Sequence, residues 1–258
     1  MTEISDAFSH GKALVAFITC GDPDLETTKT IVRSMASNGV DLIELGIPFS
    51  DPTAEGPVIQ GANVRALKAG TTTDRIFDMV ESIRDEIGVP LVFMTYANVV
   101  FSYGTDRFLD RCVRAGIKGL ILPDVPYEEK EEFAPSCERH GMCLVSMVAP
   151  TSHERIAMIA RESKGFLYVV SSLGVTGTRS KITTDIGSMT KAIKEATDTP
   201  CAIGFGISTP EQAKEMSRHA DGVIIGSAIV RIVAQNGKDS AGPVGEFVRS
   251  VKDAMRSL

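Results

Sequence analysis

Short apolar runs alternate with longer amphipathic segments along most of the chain. The runs are apolar on both faces, which predicts strands of a parallel sheet whose outer surface is covered by helices. Eight strands are predicted, at Leu14–Cys20, Leu42–Leu45, Leu91–Thr95, Gly119–Leu122, Cys143–Val148, Phe166–Val170, Cys201–Phe205 and Val223–Ile225. Eight helices are predicted, at Glu26–Asn38, Thr73–Ile87, Asp106–Ala115, Glu128–His140, His153–Ser163, Asp185–Ala196, Pro210–His219 and Val244–Met255.

The regular alternation of strands and helices favours a closed barrel over an open doubly wound sheet. A length of 258 residues is typical of one such barrel. We therefore predict an α/β fold, a (β/α)8 TIM barrel, with residues 1–258 forming a single domain. Helix boundaries carry matching signals, because Thr209-Pro210 supplies a cap and a first-turn proline while Gly116 and Gly141 follow helix ends.

The two longest connections from a strand to a helix follow the second and sixth predicted strands. They run from Gly46 to about Gln60 and from Ser171 to about Thr184. In a barrel of this kind both connections lie at the carboxyl ends of the strands, which is the face that carries active sites. The candidate functional residues are therefore sought there.

Composition and charge exclude several classes of protein. Hydrophobic residues make up 43% of the chain and charged residues 23%, the balance of a soluble protein with a packed core. The net charge is −6 and no block of Lys and Arg is present, which argues against nucleic acid as a partner. The N-terminus lacks a signal-peptide pattern and no apolar run approaches the ~20 residues of a membrane span, so we predict a cytoplasmic protein without membrane contact.

Cysteine and histidine positions do not indicate a metal or redox site. The five cysteines are scattered without a CxxC pair and are interpreted as buried packing residues or exposed thiols, with packing favoured for Cys20 beside the predicted site. The four histidines, His10, His140, His153 and His219, fall at helix ends or in connections. We therefore predict no metal ligands in this chain.

Acidic residues are the strongest candidates for chemistry. Glu44 lies inside an apolar run at the end of the second predicted strand, where a carboxylate needs either a structural partner or a catalytic role. Its position alone leaves these two readings open. Glu55 lies in the following loop, where Asp51 precedes Pro52, so Asp51 also fits ordinary turn chemistry. Two carboxylates at a barrel mouth can divide their roles, one transferring protons and the other stabilising positive charge.

Glycine-bearing strand ends predict an anion site. Such segments follow the sixth, seventh and eighth predicted strands, as Gly174–Thr178, Gly204–Ser208 and Gly226-Ser227. Barrels often bind phosphate where loops after the last strands meet the start of a short helix, and Ser227–Arg231 is suited to begin one. Plain turn geometry is the alternative for any one of these loops.

Four bulky side chains near strand ends are candidates for an apolar binding slot. They are Phe17, Met94, Tyr96 and Tyr168. Core filling is the alternative for each of them, because inward positions of a barrel are normally bulky.

The segment Glu44-Leu-Gly-Ile-Pro-Phe-Ser-Asp-Pro-Thr-Ala-Glu-Gly-Pro-Val-Ile-Gln60 closely resembles the signature segment of tryptophan synthase alpha subunits. Further matching segments cover essentially the whole chain: Phe17–Pro23, Met94–Asn98, Pro123–Pro126, Ser171–Gly177, Gly204–Ser208 and Gly226–Val230. The resemblance implies a TIM barrel that cleaves indole-3-glycerol phosphate into indole and glyceraldehyde 3-phosphate by a retro-aldol reaction.

The same resemblance implies roles for individual residues. Glu44 would move a proton between C3 of the indole and the glycerol hydroxyl, and Glu55 would accept a hydrogen bond from the indole N–H. The substrate-binding residues would be Phe17, Met94, Tyr96 and Tyr168 around the indole, Gly177, Gly206, Gly226 and Ser227 around the phosphate, and Thr176 in a closing loop.

Comparison with the family also shows two differences in sequence, and the resemblance implies one partner. The second acid of the family is usually an aspartate, whereas this chain has Glu55, and an arginine often seen near the sixth strand is replaced by Ser172. The partner would be a beta subunit carrying pyridoxal phosphate, in an α2β2 heterotetramer, with no cofactor in this chain and with Asp51 as a coupling residue.

Two other functions remain open at this stage. One is a different phosphate-handling barrel, such as a sugar-phosphate isomerase or epimerase, which would need no indole slot. The other is a non-catalytic regulatory subunit, against which an intact Glu44 argues.

Overall fold

The strands form one parallel sheet that curves into a barrel. The computed structural model describes residues 3–170, 186–204 and 206–257. In this part of the chain the strands are β1 Ala13–Thr19, β2 Leu42–Gly46, β3 Leu91–Met94, β4 Ile117–Ile121, β5 Cys143–Leu144, β6 Ser146–Val148, β7 Leu167–Val170, β8 Cys201–Gly204 and β9 Gly222–Ile225. Their order in the sheet is β5-β4-β3-β2-β1-β9-β8-β7-β6, and every pair is parallel.

The barrel closes at the fifth predicted strand, which the structure divides in two. Cys143 and Leu144 pair with β4, whereas Ser146 to Val148 pair with β7. Val145 joins the two segments, and its backbone N–H donates a hydrogen bond to the Leu120 carbonyl at 2.9 Å. The two ends of the sheet order are therefore consecutive in the chain. The predicted eight-stranded barrel is confirmed, with nine strand segments in the described residues because this strand changes partner.

Helices cover the outside of the sheet. They are α1 Leu25–Ser37, α2 Pro57–Lys68, α3 Thr73–Ile83, α4 Ala97–Tyr103, α5 Thr105–Ala115, α6 Ala134–Arg139, α7 His153–Arg161, α8 Ile186–Ala196, α9 Pro210–Ser217, α10 Ser227–Asn236 and α11 Ala241–Arg256. Short 3-10 segments lie at Ile4–Phe8, Arg84–Glu86, Tyr127–Glu132 and Gly237–Asp239. No helix in these described ranges has the length and apolarity that crossing a membrane requires.

Most helix predictions agree with the structure, and the differences have local causes. The Thr209 side chain accepts a hydrogen bond from the Gln212 N–H at 3.2 Å, and Gly116 and Gly141 have left-handed φ angles of 77° and 64°. The predicted helix Glu128–His140 is wrong as one element. Pro135 lacks the N–H that a continuous helix needs there, so a 3-10 segment and the six-residue α6 replace it.

The inside of the barrel is apolar at its lower end and polar at its upper end. Side chains that point inward include Val15, Leu42, Val92 and Ile224, and the 3-10 segment Ile4–Phe8 covers them from below. Glu44 follows Leu42 by two positions, so strand alternation directs its side chain to the same interior. The barrel therefore presents a carboxyl group from a closed apolar floor toward the carboxyl ends of the strands.

Candidate active site

A cavity lies inside the barrel at the carboxyl ends of the strands. Phe17 on β1 and Glu44 on β2 are register partners, and Tyr168 on β7 faces the same space. The lining residues are Phe17, Glu44, Glu55, Ile59, Met94, Tyr168, Gly206, Ile207, Ile224, Gly226 and Ser227. Apolar side chains thus surround two carboxyl groups and a glycine-rich edge.

Glu44 is a buried carboxyl group without a hydrogen-bond partner in the described part of the chain. Its side chain is 0% exposed, and neither Oε1 nor Oε2 has a partner there. Burial disfavours the charged form and raises the pKa of Glu44 to about 8. The side chain is therefore a protonated acid at neutral pH, which is the state that a proton donor requires.

Glu55 enters the cavity from the loop that follows β2, and it has a hydrogen-bond donor. Asn63 Nδ2 on α2 donates a hydrogen bond to Glu55 Oε2 at 2.6 Å, and the Tyr96 hydroxyl lies next to the preceding residue, Ala54. Burial raises the pKa of Glu55 to about 7, while Asn63 and, to a smaller extent, Tyr96 act in the opposite direction. The two acids thus occupy one cavity in different environments.

Two glycines allow aromatic rings to reach the cavity. A Cβ at Gly46 would lie 2.6 Å from the ring of Phe17, and a Cβ at Gly204 would lie 2.6 Å from the ring of Tyr168. Any side chain at these positions would displace the rings, because such approaches are far below van der Waals contact. The glycines at the ends of β2 and β8 therefore shape the apolar walls.

The glycine-rich edge is suited to bind an anion. Ser227 is the first residue of α10, a ten-residue helix whose cap position is Gly226. The first-turn N–H groups of a helix have no partner within the helix and carry partial positive charge. Because a glycine cap places no side chain over these groups, they remain available to a ligand at the edge formed with Gly206.

The structure brings together eight of the residues that the sequence singled out: Phe17, Glu44, Glu55, Met94, Tyr168, Gly206, Gly226 and Ser227. Tyr96 does not line the cavity, and its hydroxyl instead accepts a hydrogen bond from the Ala54 N–H at 3.1 Å. Asp51 lies on the exposed loop, where the Ser50 hydroxyl donates to its carboxylate. Thr176 and Gly177, like Ser172, lie outside the described residues.

Sequence reasoning missed the apolar lining residues Ile59, Ile207 and Ile224 and the buried Asn63. Ile224 was within reach, since strand alternation places it inward on β9. Ile59 and Asn63 belong to α2, whose residues the sequence pattern had assigned partly to a loop.

The burial of Cys20 agrees with its interpretation as a packing residue, and the histidines lie away from the cavity in the described part of the chain. Cys20 is fully buried, and burial raises the pKa of its thiol, which disfavours a reactive thiolate. None of the four histidines lines the cavity, as far as the chain is described. Among the described residues no group of three or more His, Cys, Asp or Glu side chains is arranged to hold a metal ion.

Known proteins resemble the chain over nearly its whole length. The sequence model of the family described as tryptophan synthase alpha chain matches residues 5–256. The tryptophan synthase alpha chain of Lacticaseibacillus casei is 46% identical over 255 residues, covering 99% of this chain and 96% of the relative. Tryptophan synthase subunit alpha from Legionella pneumophila strain Paris superposes with a TM-score of 0.90 at 34% identity, covering 100% of both chains. A chain of the tryptophan synthase complex from Pyrococcus furiosus superposes with a TM-score of 0.86 at 31% identity, covering 93% of this chain and 98% of that one.

The burial of Glu44 predicts a pH-dependent cost in stability. The pKa of Glu44 is about 8 in the folded chain against an ordinary value of 4.5, so between these values the folded state holds a proton that the unfolded state releases. The free energy of unfolding therefore falls as pH rises through this window, by roughly 1 kcal/mol per pH unit. Glu44→Gln removes this ionisation, so thermal melts from pH 5 to pH 8 should show the variant gaining stability relative to the wild type.

Glu211→Gln on the exposed surface of α9 is the matched control and should leave the pH dependence unchanged. A Glu44→Gln variant whose melting temperature parallels that of the wild type across this range would contradict the assigned burial.

Proposed function

The chain belongs to the tryptophan synthase alpha chain family, and on this premise we propose that Glu44 and Glu55 perform the two charge roles of the family's reaction. The enzyme is a carbon–carbon lyase of tryptophan biosynthesis that cleaves indole-3-glycerol phosphate into indole and glyceraldehyde 3-phosphate. One observation supports the assignment above all: both carboxyl groups face a single apolar cavity, and only Glu55 among them has a hydrogen-bond donor in the described part of the chain.

In the proposed mechanism, protonated Glu44 donates its proton to C3 of the indole ring. This step breaks the aromaticity of the ring and places positive charge on the ring nitrogen. The ionised carboxylate of Glu55 accepts the N–H hydrogen bond and stabilises that charge. The Glu44 carboxylate then takes the proton of the glycerol hydroxyl. As the carbonyl of the aldehyde forms, the C–C bond breaks and its electrons restore the indole ring, leaving Glu44 protonated for the next cycle.

The remaining lining residues support binding at either end of the substrate. Phe17, Met94 and Tyr168 offer apolar surface to the indole, and Ile59 adds to it from α2. Gly206, Gly226 and Ser227 offer the start of α10 to the phosphate. Two assignments stay predictions: Gly177 at the phosphate, and Thr176 in a loop that would close over the substrate and exclude water.

An alpha chain implies a beta subunit as its partner, and a chain of the Pyrococcus furiosus tryptophan synthase complex has the same fold. We extend this to an α2β2 heterotetramer in which the beta subunit carries pyridoxal phosphate and this chain needs no cofactor. Indole released at the carboxyl ends of the strands would pass to that subunit. A cytoplasmic location also stays a prediction.

Glu44→Gln should abolish most indole formation, because the amide keeps the shape of the side chain but cannot transfer the proton. The expected loss in kcat is roughly a hundredfold or more. It is measured as indole release from indole-3-glycerol phosphate by the purified chain, with and without a beta subunit. The exposed Glu211→Gln variant should retain wild-type turnover. Near-normal turnover of Glu44→Gln would reject the acid–base assignment.

Asp51→Ala should reduce the activity stimulated by the beta subunit more than the basal activity of the isolated chain. Asp51 is exposed on the loop at the rim, so a coupling free energy assigned to it belongs to the complex. The control is Asp253→Ala on α11. The neighbouring residue, Lys252, contacts the chain just before β1 and β2, which places this part of α11 at the opposite end of the barrel. Equal fractional losses in both activities would restrict Asp51 to the local site, and no loss would return it to turn chemistry.

A further inference from the structure

The proposed role of Glu55 requires a charge state that its burial disfavours, whereas that of Glu44 does not. Glu55 would act as a charged carboxylate, yet burial favours the neutral form. It also lies in the irregular segment between β2 and α2, where no strand ladder holds the backbone. Neighbouring groups must therefore supply both the position and the charge state of this side chain.

Asn63 supplies one of these contacts from α2. Its side chain is 3% exposed, on the helix face that also buries Ile59, Ala62 and Ala66. The contact from Asn63 Nδ2 to Glu55 Oε2 measures 2.6 Å. An amide N–H that donates to a carboxylate stabilises its ionised form, and a buried position makes this contribution larger.

Tyr96 supplies the second contact from the end of β3, behind the cavity wall. Its ring is 2% exposed and lies 5.3 Å from the ring of Phe49, centroid to centroid. Its hydroxyl accepts the Ala54 N–H at 3.1 Å, and Ala54 immediately precedes Glu55. The Tyr96 side chain therefore contacts the loop at two points, Phe49 and Ala54.

The backbone next to Tyr96 is itself held by hydrogen bonds. Tyr96 is the cap residue of α4, and the backbone N–H of the next residue, Ala97, donates to Asp124 Oδ1 and Oδ2 at 3.1 and 3.2 Å. Asp124 follows β4, so two neighbouring strand ends hold the tyrosine in place.

We propose that Asn63 and Tyr96 are positioning residues that hold Glu55 in the cavity as a charged carboxylate, and that neither contacts the substrate. This inference rests on the proposed role of Glu55. It replaces the sequence-based expectation that Tyr96 binds the indole. It also accounts for how this chain places a glutamate where the family usually has an aspartate, because the longer side chain ends on a donor from α2 while Tyr96 holds the preceding residue, Ala54.

Few other charges face Glu55. The titratable groups around it are Glu44 from β2, Tyr168 from β7 and Tyr96, with Asp124 behind the tyrosine. No Lys, Arg or His lines the cavity in the described ranges. Asn63 is therefore the main group that opposes burial, with a smaller contribution from Tyr96, and removing either should raise the pKa of Glu55 further.

The test is the pH dependence of indole release by the purified chain, alone and with a beta subunit. Activity should fall as pH drops through the pKa of Glu55, about 7, because protonation removes the carboxylate that stabilises the ring cation. Tyr96→Phe removes the hydroxyl that holds Ala54, and Asn63→Leu removes the amide donor, each at similar volume. Each should move this acid limb to higher pH, and activity should recover partly above it.

Tyr103→Phe is the matched control. Tyr103 is the last residue of α4, the helix that Tyr96 caps, and its hydroxyl donates to Asp74 instead of facing the Glu55 loop. This variant should leave the acid limb in place. Asn63→Gln, which keeps the amide donor, should show a smaller shift of the acid limb than Asn63→Leu. A purely structural role would lower activity without moving the limb.

Glu55→Gln separates this inference from the proposed function. If it loses activity while Tyr96→Phe and Asn63→Leu fold and keep the wild-type acid limb, the positioning role is overturned and the role of Glu55 stands. If Glu55→Gln keeps full activity, the role of Glu55 fails and the inference fails with it. Two variants from separate elements keep the test decisive if one does not fold.

Discussion

The burial of the Glu44 carboxyl group, without a hydrogen-bond partner among the described residues, is the constraint on which the rest of the site depends. A charged carboxylate in this position would lose its hydration and gain no hydrogen bond from the described residues. The folded chain therefore retains the proton at neutral pH. The apolar floor below Glu44 and the aromatic rings of Phe17 and Tyr168 beside it maintain that state. Burial of Glu44 lowers the free energy of unfolding at neutral pH, and it keeps the side chain in the protonated form that the proposed proton transfer requires.

The proposed role of Glu55 has the opposite requirement in the same cavity, and polar contacts instead of an opposite charge favour the ionised form. Asn63 donates to its carboxylate and Tyr96 also favours the charged form, whereas Glu44 has no such donor in the described chain. Two residues of similar intrinsic acidity can then serve as proton donor and as stabiliser of a cation. The barrel makes this division possible because β2 holds one acid rigidly while a loop anchored on α2 and β3 holds the other.

The sequence predicted the parts of this arrangement that follow from local periodicity. The apolar run around Glu44 indicated a carboxyl group at the end of β2, and glycines at strand ends indicated the edge formed by Gly226 and Ser227. The contacts of Glu55 could not be predicted in this way. Asn63 lies on α2, which begins at Pro57 among residues with loop character, and the role of Tyr96 depends on packing between segments distant in the chain. The split fifth strand likewise depends on which neighbours are available, and a single-strand pattern does not contain that information.

The protonation states of the two acids can be observed directly. Glutamate labelled with carbon-13 at the carboxyl carbon gives an NMR signal that moves with ionisation, and Glu44→Gln and Glu55→Gln identify the two signals of interest. We expect Glu44 to titrate near pH 8 and to be protonated at neutral pH, while Glu55 should titrate at lower pH, near 7. A Glu44 signal that is already ionised at pH 6, or that titrates below that of Glu55, would contradict this assignment.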